Sequence, residues 1–266
     1  MASASRLHRR GLSLAAALSL VGLLGPALST HAATPDWLRK AFTAHLVGHG
    51  KSPGVARYEM DSGGGFVLDR STDHPLIRFD DDPEVWSLTA SRGPRGDMIY
   101  WNDLKQPLLR ITKFGGVTLY TARRPEGSAA SMSGSAQPIR LRSVGVVGLA
   151  RALFEASSRS THAAEHLIAY EAPNANPGND GLIADAALVA SEAMVGLAGR
   201  PGGRPLMSRI SRVFLHSGRE PGVWVRDNVL MISITPAEGL AGRPSSLRIQ
   251  QALGAHTATV YVGLSP

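Results

Sequence analysis

Residues 144–199 constrain the fold most, because they carry two long apolar stripes at helical spacing with a break between them. Val147, Ala150 and Phe154, then Ala163, Leu167 and Tyr170, fall at the three- and four-residue intervals that put side chains on one face of a helix. Ile183, Ala187, Ala190, Met194 and Leu197 do the same further on. The break, Glu171-Ala-Pro-Asn-Ala-Asn-Pro-Gly178, is rich in residues that stop helices and make turns. These features predict a long antiparallel helical hairpin. A hairpin with apolar faces needs a second layer to cover it.

The flanking sequence supplies strands for that layer. Apolar runs at 56–60, 66–68, 76–79, 85–88, 98–101, 108–111 and 117–120 are separated by Gly63-Gly-Gly65, Asp82-Pro83, Arg92-Gly-Pro94, Asn102-Asp103 and Gly115-Gly116. The connections are too short for parallel crossovers, so the strands are expected to be antiparallel. A repeat supports this. Phe66-Val-Leu-Asp-Arg70, Pro75-Leu-Ile-Arg-Phe79 and Val85-Trp-Ser-Leu-Thr89 return 32 residues later as Met98-Ile-Tyr-Trp-Asn102, Pro107-Leu-Leu-Arg-Ile111 and Val117-Thr-Leu-Tyr-Thr121. Two copies of a three-strand unit predict a meander or partial barrel. Arg78 and Arg110 occupy matched positions and are expected on the outer face.

Residues 123–142 are small, polar and without period, and are expected as a flexible loop or connector. Beyond the helices, residues 210–216 and 222–234 are expected as strands, the latter a hairpin turning at Asp227-Asn228. A short helix is expected at 245–253, capped by Ser245 or Ser246 with Ile249 and Leu253 inward, then a last strand at 257–263. The chain thus returns to sheet, which predicts one α+β domain over residues 33–266, with the hairpin covering a sheet built by both ends.

Residues 1–32 have the form of a signal peptide: Arg6, His8, Arg9 and Arg10, an apolar run from Gly11 to Leu24, and small residues before a cleavage point after Ala32. Periplasmic or secreted location is expected, without stable membrane insertion after cleavage. A short helix is expected at 35–46. Loss of the three leader arginines lowers the formal net charge from +7 to +4. The remaining basic residues are scattered, which argues against a nucleic-acid interface. The chain has no cysteine, so thiol catalysis and thiolate metal sites are excluded. Gly50-Lys51-Ser52 lacks the glycine spacing of a phosphate-binding loop.

One motif points to chemistry. His162-Ala-Ala-Glu165-His166, continued on a helix, would set two imidazoles on one face with a carboxylate beside them. The five residues resemble the inverted zinc motif of insulinase-like (pitrilysin) peptidases. That resemblance implies His162 and His166 as zinc ligands and Glu165 as the base acting on a metal-bound water. A distant glutamate completes the family's ligand set, and Glu192, Glu220 and Glu238 are candidates, Glu192 first. The competing reading is a polar helix face with Arg159 and Glu155. Asp80-Asp-Asp82-Pro-Glu84 is dense enough in carboxylates to consider calcium, but fits a turn better. Trp86, Trp101 and Trp224 lie in expected strands as core fillers or, where exposed, as a sugar or peptide platform.

Over most of its length the chain resembles an uncharacterised family of exported proteobacterial proteins, a domain of unknown function. The resemblance rests on Phe66-Val-Leu-Asp-Arg70, Asp82-Pro-Glu-Val-Trp86, Gly181-Leu-Ile-Ala-Asp-Ala186 and Gly239-Leu-Ala-Gly-Arg-Pro244. It implies export and a shared domain. The sequence thus reads as an exported binding or envelope-associated accessory protein whose partner is an envelope protein, a peptide or a glycan. No cofactor is expected in that reading. The alternative is a zinc-dependent, peptidase-like hydrolase.

Overall fold

The computed structural model describes the backbone of residues 53–262 and side chains as far as residue 254. The expected leader and the expected helix at 35–46 lie outside the described residues.

Nine strands form one antiparallel sheet: β1 (Val55–Met60), β2 (Gly65–Asp69), β3 (Leu76–Phe79), β4 (Val85–Ser87), β5 (Thr89–Arg92), β6 (Met98–Trp101), β7 (Pro107–Ile111), β8 (Val117–Thr121) and β9 (Arg124–Ser135). Their spatial order is β4-β3-β2-β1-β9-β8-β7-β6-β5. The two terminal strands of that order, β4 and β5, are separated in sequence by Leu88 alone. The sheet must therefore curl until its edges nearly meet, giving a near-closed barrel that leaves little unpaired edge. Alternate residues point inward, as the pleat requires. Ala56, Tyr58, Phe66, Leu68, Ile77, Leu88, Tyr100, Leu109, Val117 and Leu119 pack into one buried cluster. Tyr58 stacks on Phe66 with ring centroids 5.1 Å apart. The repeat maps onto two meanders, β2-β3-β4 and β6-β7-β8, with Ile77 and Leu109 equivalent and fully buried.

The segment expected as a flexible loop is instead largely strand β9, twelve residues long and inserted between β1 and β8. It joins the two meanders. Most of its side chains are exposed or half-buried, so its backbone bonds to both neighbours define it, not an apolar pattern. β5 was equally invisible, since all four of its residues are exposed.

The second half contains helices α1 (Gly145–Ala164), α2 (Asp180–Ala198), α3 (Gly203–Met207) and α4 (Ser246–Val262). It also contains strands β10 (Ala169–Glu171), β11 (Arg212–Ser217), β12 (Gly222–Arg226) and β13 (Val229–Ile234). The C-terminal strands do not join the barrel, contrary to expectation. They build a separate sheet of order β10-β11-β13-β12, with β10, β11 and β13 parallel and β12 antiparallel to β13. The β12–β13 hairpin turns at Asp227-Asn228, both at positive φ (50° and 64°), the mirror-image turn that strand twist favours. Residues 257–262, expected as strand, continue α4.

α2 is apolar nearly all round and forms the centre of a second core, with Ile183, Ala187, Ala190, Met194 and Leu197 buried as expected. The face of α1 that packs against it differs from the expected one. Ala152, Ala156, Ser160 and Ala163 are buried, while Val147 and Phe154 are 76% and 77% exposed. Small residues let the two helices approach closely, and the larger side chains turn outward.

The direction of the helix pair also differs. Asp180, the first residue of α2, accepts hydrogen bonds at the start of α1 from Ser143 Oγ (2.7 Å), Val144 N (3.1 Å) and Gly145 N (2.6 Å). Towards the other ends, Arg159 pairs with Glu192. The helices therefore run side by side in the same sense. The return path is β10, which follows a reversal at Glu165. That residue is in the left-handed conformation (φ 62°). Ile168 then folds back along α1, where its amide donates to Thr161 Oγ1 (3.1 Å) and its carbonyl accepts from Ser157 Oγ (2.7 Å). Gly181 allows the crossing: a Cβ there would lie 2.2 Å from the Arg142 carbonyl oxygen.

Candidate functional site: a cavity at one end of the barrel

The barrel and the helical half meet at a buried polar joint. Arg243, 5% exposed, pairs with Asp185 of α2, lies 3.5 Å from Glu84, and donates to the Val85 carbonyl at 3.0 Å. Glu84 also accepts from Ser246 N (3.0 Å) at the start of α4. Ser245 caps that helix, accepting from Arg248 N (3.2 Å), and is itself held by Asp103. Burial pushes the Glu84 carboxyl up to about 7, against the opposing pull of Arg243 and of the Ser246 donors.

Beside this joint the barrel end opens into a cavity of about 1110 Å³. It collects the turns that follow β1, β3, β6 and β8, residues of β4, β7, β8 and β9, and Leu247 of α4. Its apolar wall comprises Met60, Phe79, Trp86, Leu108 and Leu119. Leu119 is fully buried in the barrel core, so the cavity floor is the top of that core. Polar groups ring the opening. Arg123 and Arg124 stand on the tight β8–β9 turn with both guanidinium groups exposed, and Asp81 and Glu126 are exposed nearby. Trp86 is half-buried and oriented by a bond from Nε1 to Asp82 Oδ2 (3.3 Å). Asp82 also accepts the Glu84 amide (2.9 Å). An apolar floor with a few polar groups at the rim is the usual construction of a small-molecule site.

The acidic run is thus divided among structural tasks. Asp80 forms a two-point ion pair with Arg57 (2.9 and 2.7 Å), and Asp82 shapes the turn. Asp69, buried, accepts from Ser71 and Ile139 N and holds the segment after β9 against β2. Trp101 bonds Ser91 (2.8 Å), and Trp224 is 42% exposed on β12.

The zinc constellation does not come together. α1 ends at Ala164, so His162 and His166 do not share a helical face. His162 is exposed. The two ring nitrogens of His166 lie against carbonyl oxygens, Nδ1 with Ala164 (3.0 Å) and Nε2 with Ile210 (2.8 Å). Both ring edges are therefore occupied, and no lone pair is turned to a metal. Glu165 pairs with Arg204 (2.6 Å) and Glu192 with Arg159. Among the described residues no group of three or more His, Asp or Glu side chains is disposed to hold a metal ion. The motif's spacing is correct, but its helix stops two residues too early.

Sequence reasoning placed Trp86 and the acidic turn, but not the cavity they border. Arg123 and Arg124 lay at the start of the segment read as a connector. The adjacent pair of basic residues before Pro125 was the available signal.

The chain matches no curated protein and no solved structure. Residues 39–253 match the family model described as a domain of unknown function, DUF4908, and the chain belongs to that family.

Proposed function

We propose that this protein is an exported, non-enzymatic binding module of the cell envelope, and that the cavity at the barrel end receives its ligand. The observation that carries this reading is the cavity itself: about 1110 Å³ of open space over an apolar floor, with Trp86 held at its wall and two exposed arginines at its lip. Such a site suits a compact molecule with an apolar body and a polar end. Export is supported by the basic, apolar and small-residue succession of residues 1–32. The polar side chains near the cavity are committed to turns, ion pairs and the α4 cap, or are open to solvent, which suits binding better than bond cleavage.

Fluorescence titration with 1-anilinonaphthalene-8-sulfonate, an aromatic anion, tests the reading. Binding raises the probe's own emission, and Trp86→Ala, which removes part of the apolar wall, weakens that binding several-fold. Probe emission that does not rise, or an affinity unaffected by Trp86→Ala, would overturn the assignment.

A further inference from the structure

We infer that the outer face of α1 is an interfacial membrane-binding surface that seats the protein on an anionic bilayer. This rests on observations separate from the barrel cavity. Among the described residues, most of the exposed large apolar side chains lie at one place, while Phe114, Met132, Val195 and Trp224 are scattered elsewhere. Of the ten such residues, Leu141, Val144, Val146, Val147, Phe154 and Leu167 belong to α1 or the residues flanking it. At about 100° per residue, Val146, Ala150, Phe154 and Val147 span roughly 100° of the helix surface. Val146, Val147 and Phe154 are 86%, 76% and 77% exposed. Leu149 and Leu153 continue the apolar slope down to the core.

Scattered exposed apolar residues need no explanation, but a contiguous stripe does. The helix does not need these side chains for packing, because its alanine and serine face already meets α2. The rim identifies the partner. Arg142 precedes the stripe and Arg151 borders it, both exposed, while Glu155 lies on the far side of Arg151. An apolar stripe bordered by arginine is the pattern of a helix lying at the headgroup–acyl boundary: the apolar residues enter the boundary and the guanidinium groups reach lipid phosphates. A single short stripe gives reversible attachment, not insertion.

Co-sedimentation with vesicles tests this on the purified full chain. The wild-type protein is expected to pellet with vesicles of phosphatidylcholine containing about one-third phosphatidylglycerol, and several-fold less with phosphatidylcholine alone. Val147→Asp combined with Phe154→Asp, both at solvent-facing positions, is expected to lower binding roughly tenfold while the melting temperature is retained. Arg151→Glu is expected to erase the preference for the anionic vesicles and leave the weaker binding in place. Wild-type protein that stays in the supernatant, or a double variant that pellets equally well, overturns the inference. So does light scattering that shows a wild-type dimer and a monomeric double variant, because the stripe would then seat a second copy of the chain. None of these results depends on probe binding in the barrel.

Discussion

Ser87 closes one terminal strand of the nine-stranded order and Thr89 opens the other, so Leu88 is the only residue between them. Leu88 is 1% exposed, its amide donates to the Pro75 carbonyl at 2.8 Å, and its side chain enters the barrel core. It therefore fixes the closure and fills the interior together. Leu88→Ala is expected to cost about 2–4 kcal/mol in denaturant unfolding, the range for a buried leucine that leaves a cavity. A loss under about 1 kcal/mol would mean that the barrel tolerates an open seam there.

Asp180 ties the start of α2 to the start of α1. The hydroxyl of Ser143 and the amides of Gly145, Gly181 and Val144 hold its carboxyl below the ordinary carboxylate value, outweighing the effect of burial. A lowered folded-state value stabilises the fold above the unfolded value of 3.8, and that stability is lost as pH falls through the folded value. Thermal melts from neutral to acidic pH are expected to show a steep acid limb in the wild type and a shallower one in Asp180→Asn. Gly181→Ala is expected to destabilise the same joint, since the added methyl meets the Arg142 carbonyl.

Glu84 has the opposite sign. Its folded-state value of about 7 lies above the unfolded 4.5, so the protein binds more protons folded than unfolded between those limits. Its contribution is fully present below pH 4.5 and declines as pH rises to about 7. Relative to Glu84→Gln, the wild type is expected to lose stability across that window, by up to about 3 kcal/mol. Parallel pH profiles for the two proteins would refute the role of burial at this joint.

His166 is predicted to act structurally. His166→Ala is expected to cost about 1–2 kcal/mol through loss of the ring's packing and its hydrogen bond between the Ala164 and Ile210 carbonyls. Treatment with a chelator is expected to leave the melting temperature of both proteins unchanged. A melting temperature that falls on chelation and recovers with zinc would restore the metal reading.

Much of the barrel was legible because its inward residues are large and alternate, and because Ile77 and Leu109 repeat at a fixed offset. β9 was not, because neighbouring backbones define it and its own side chains are small. The Asp227-Asn228 turn and the Ser245 cap were legible since each rests on local chemistry. Three features depended on contacts distant in sequence: the outward face of α1, the reversal at Glu165 and the separate second sheet. The zinc motif failed for the same reason, since a left-handed residue without glycine ended its helix. The cavity was not legible because it joins four turns that are far apart in the chain.

The central claim is that the barrel end binds a ligand, and a mouth-filling variant tests it most directly. Ser62 is exposed at the opening, where its hydroxyl meets Ser128 at 3.0 Å, so Ser62→Trp obstructs the mouth without entering the core. Calorimetric titration with 1-anilinonaphthalene-8-sulfonate is expected to show one site per chain in the wild type. Affinity is expected to fall roughly tenfold, about 1.4 kcal/mol, in Ser62→Trp and to be retained in Val147→Asp with Phe154→Asp. Equal binding by Ser62→Trp and the wild type, with loss in the α1 double variant, would contradict the account.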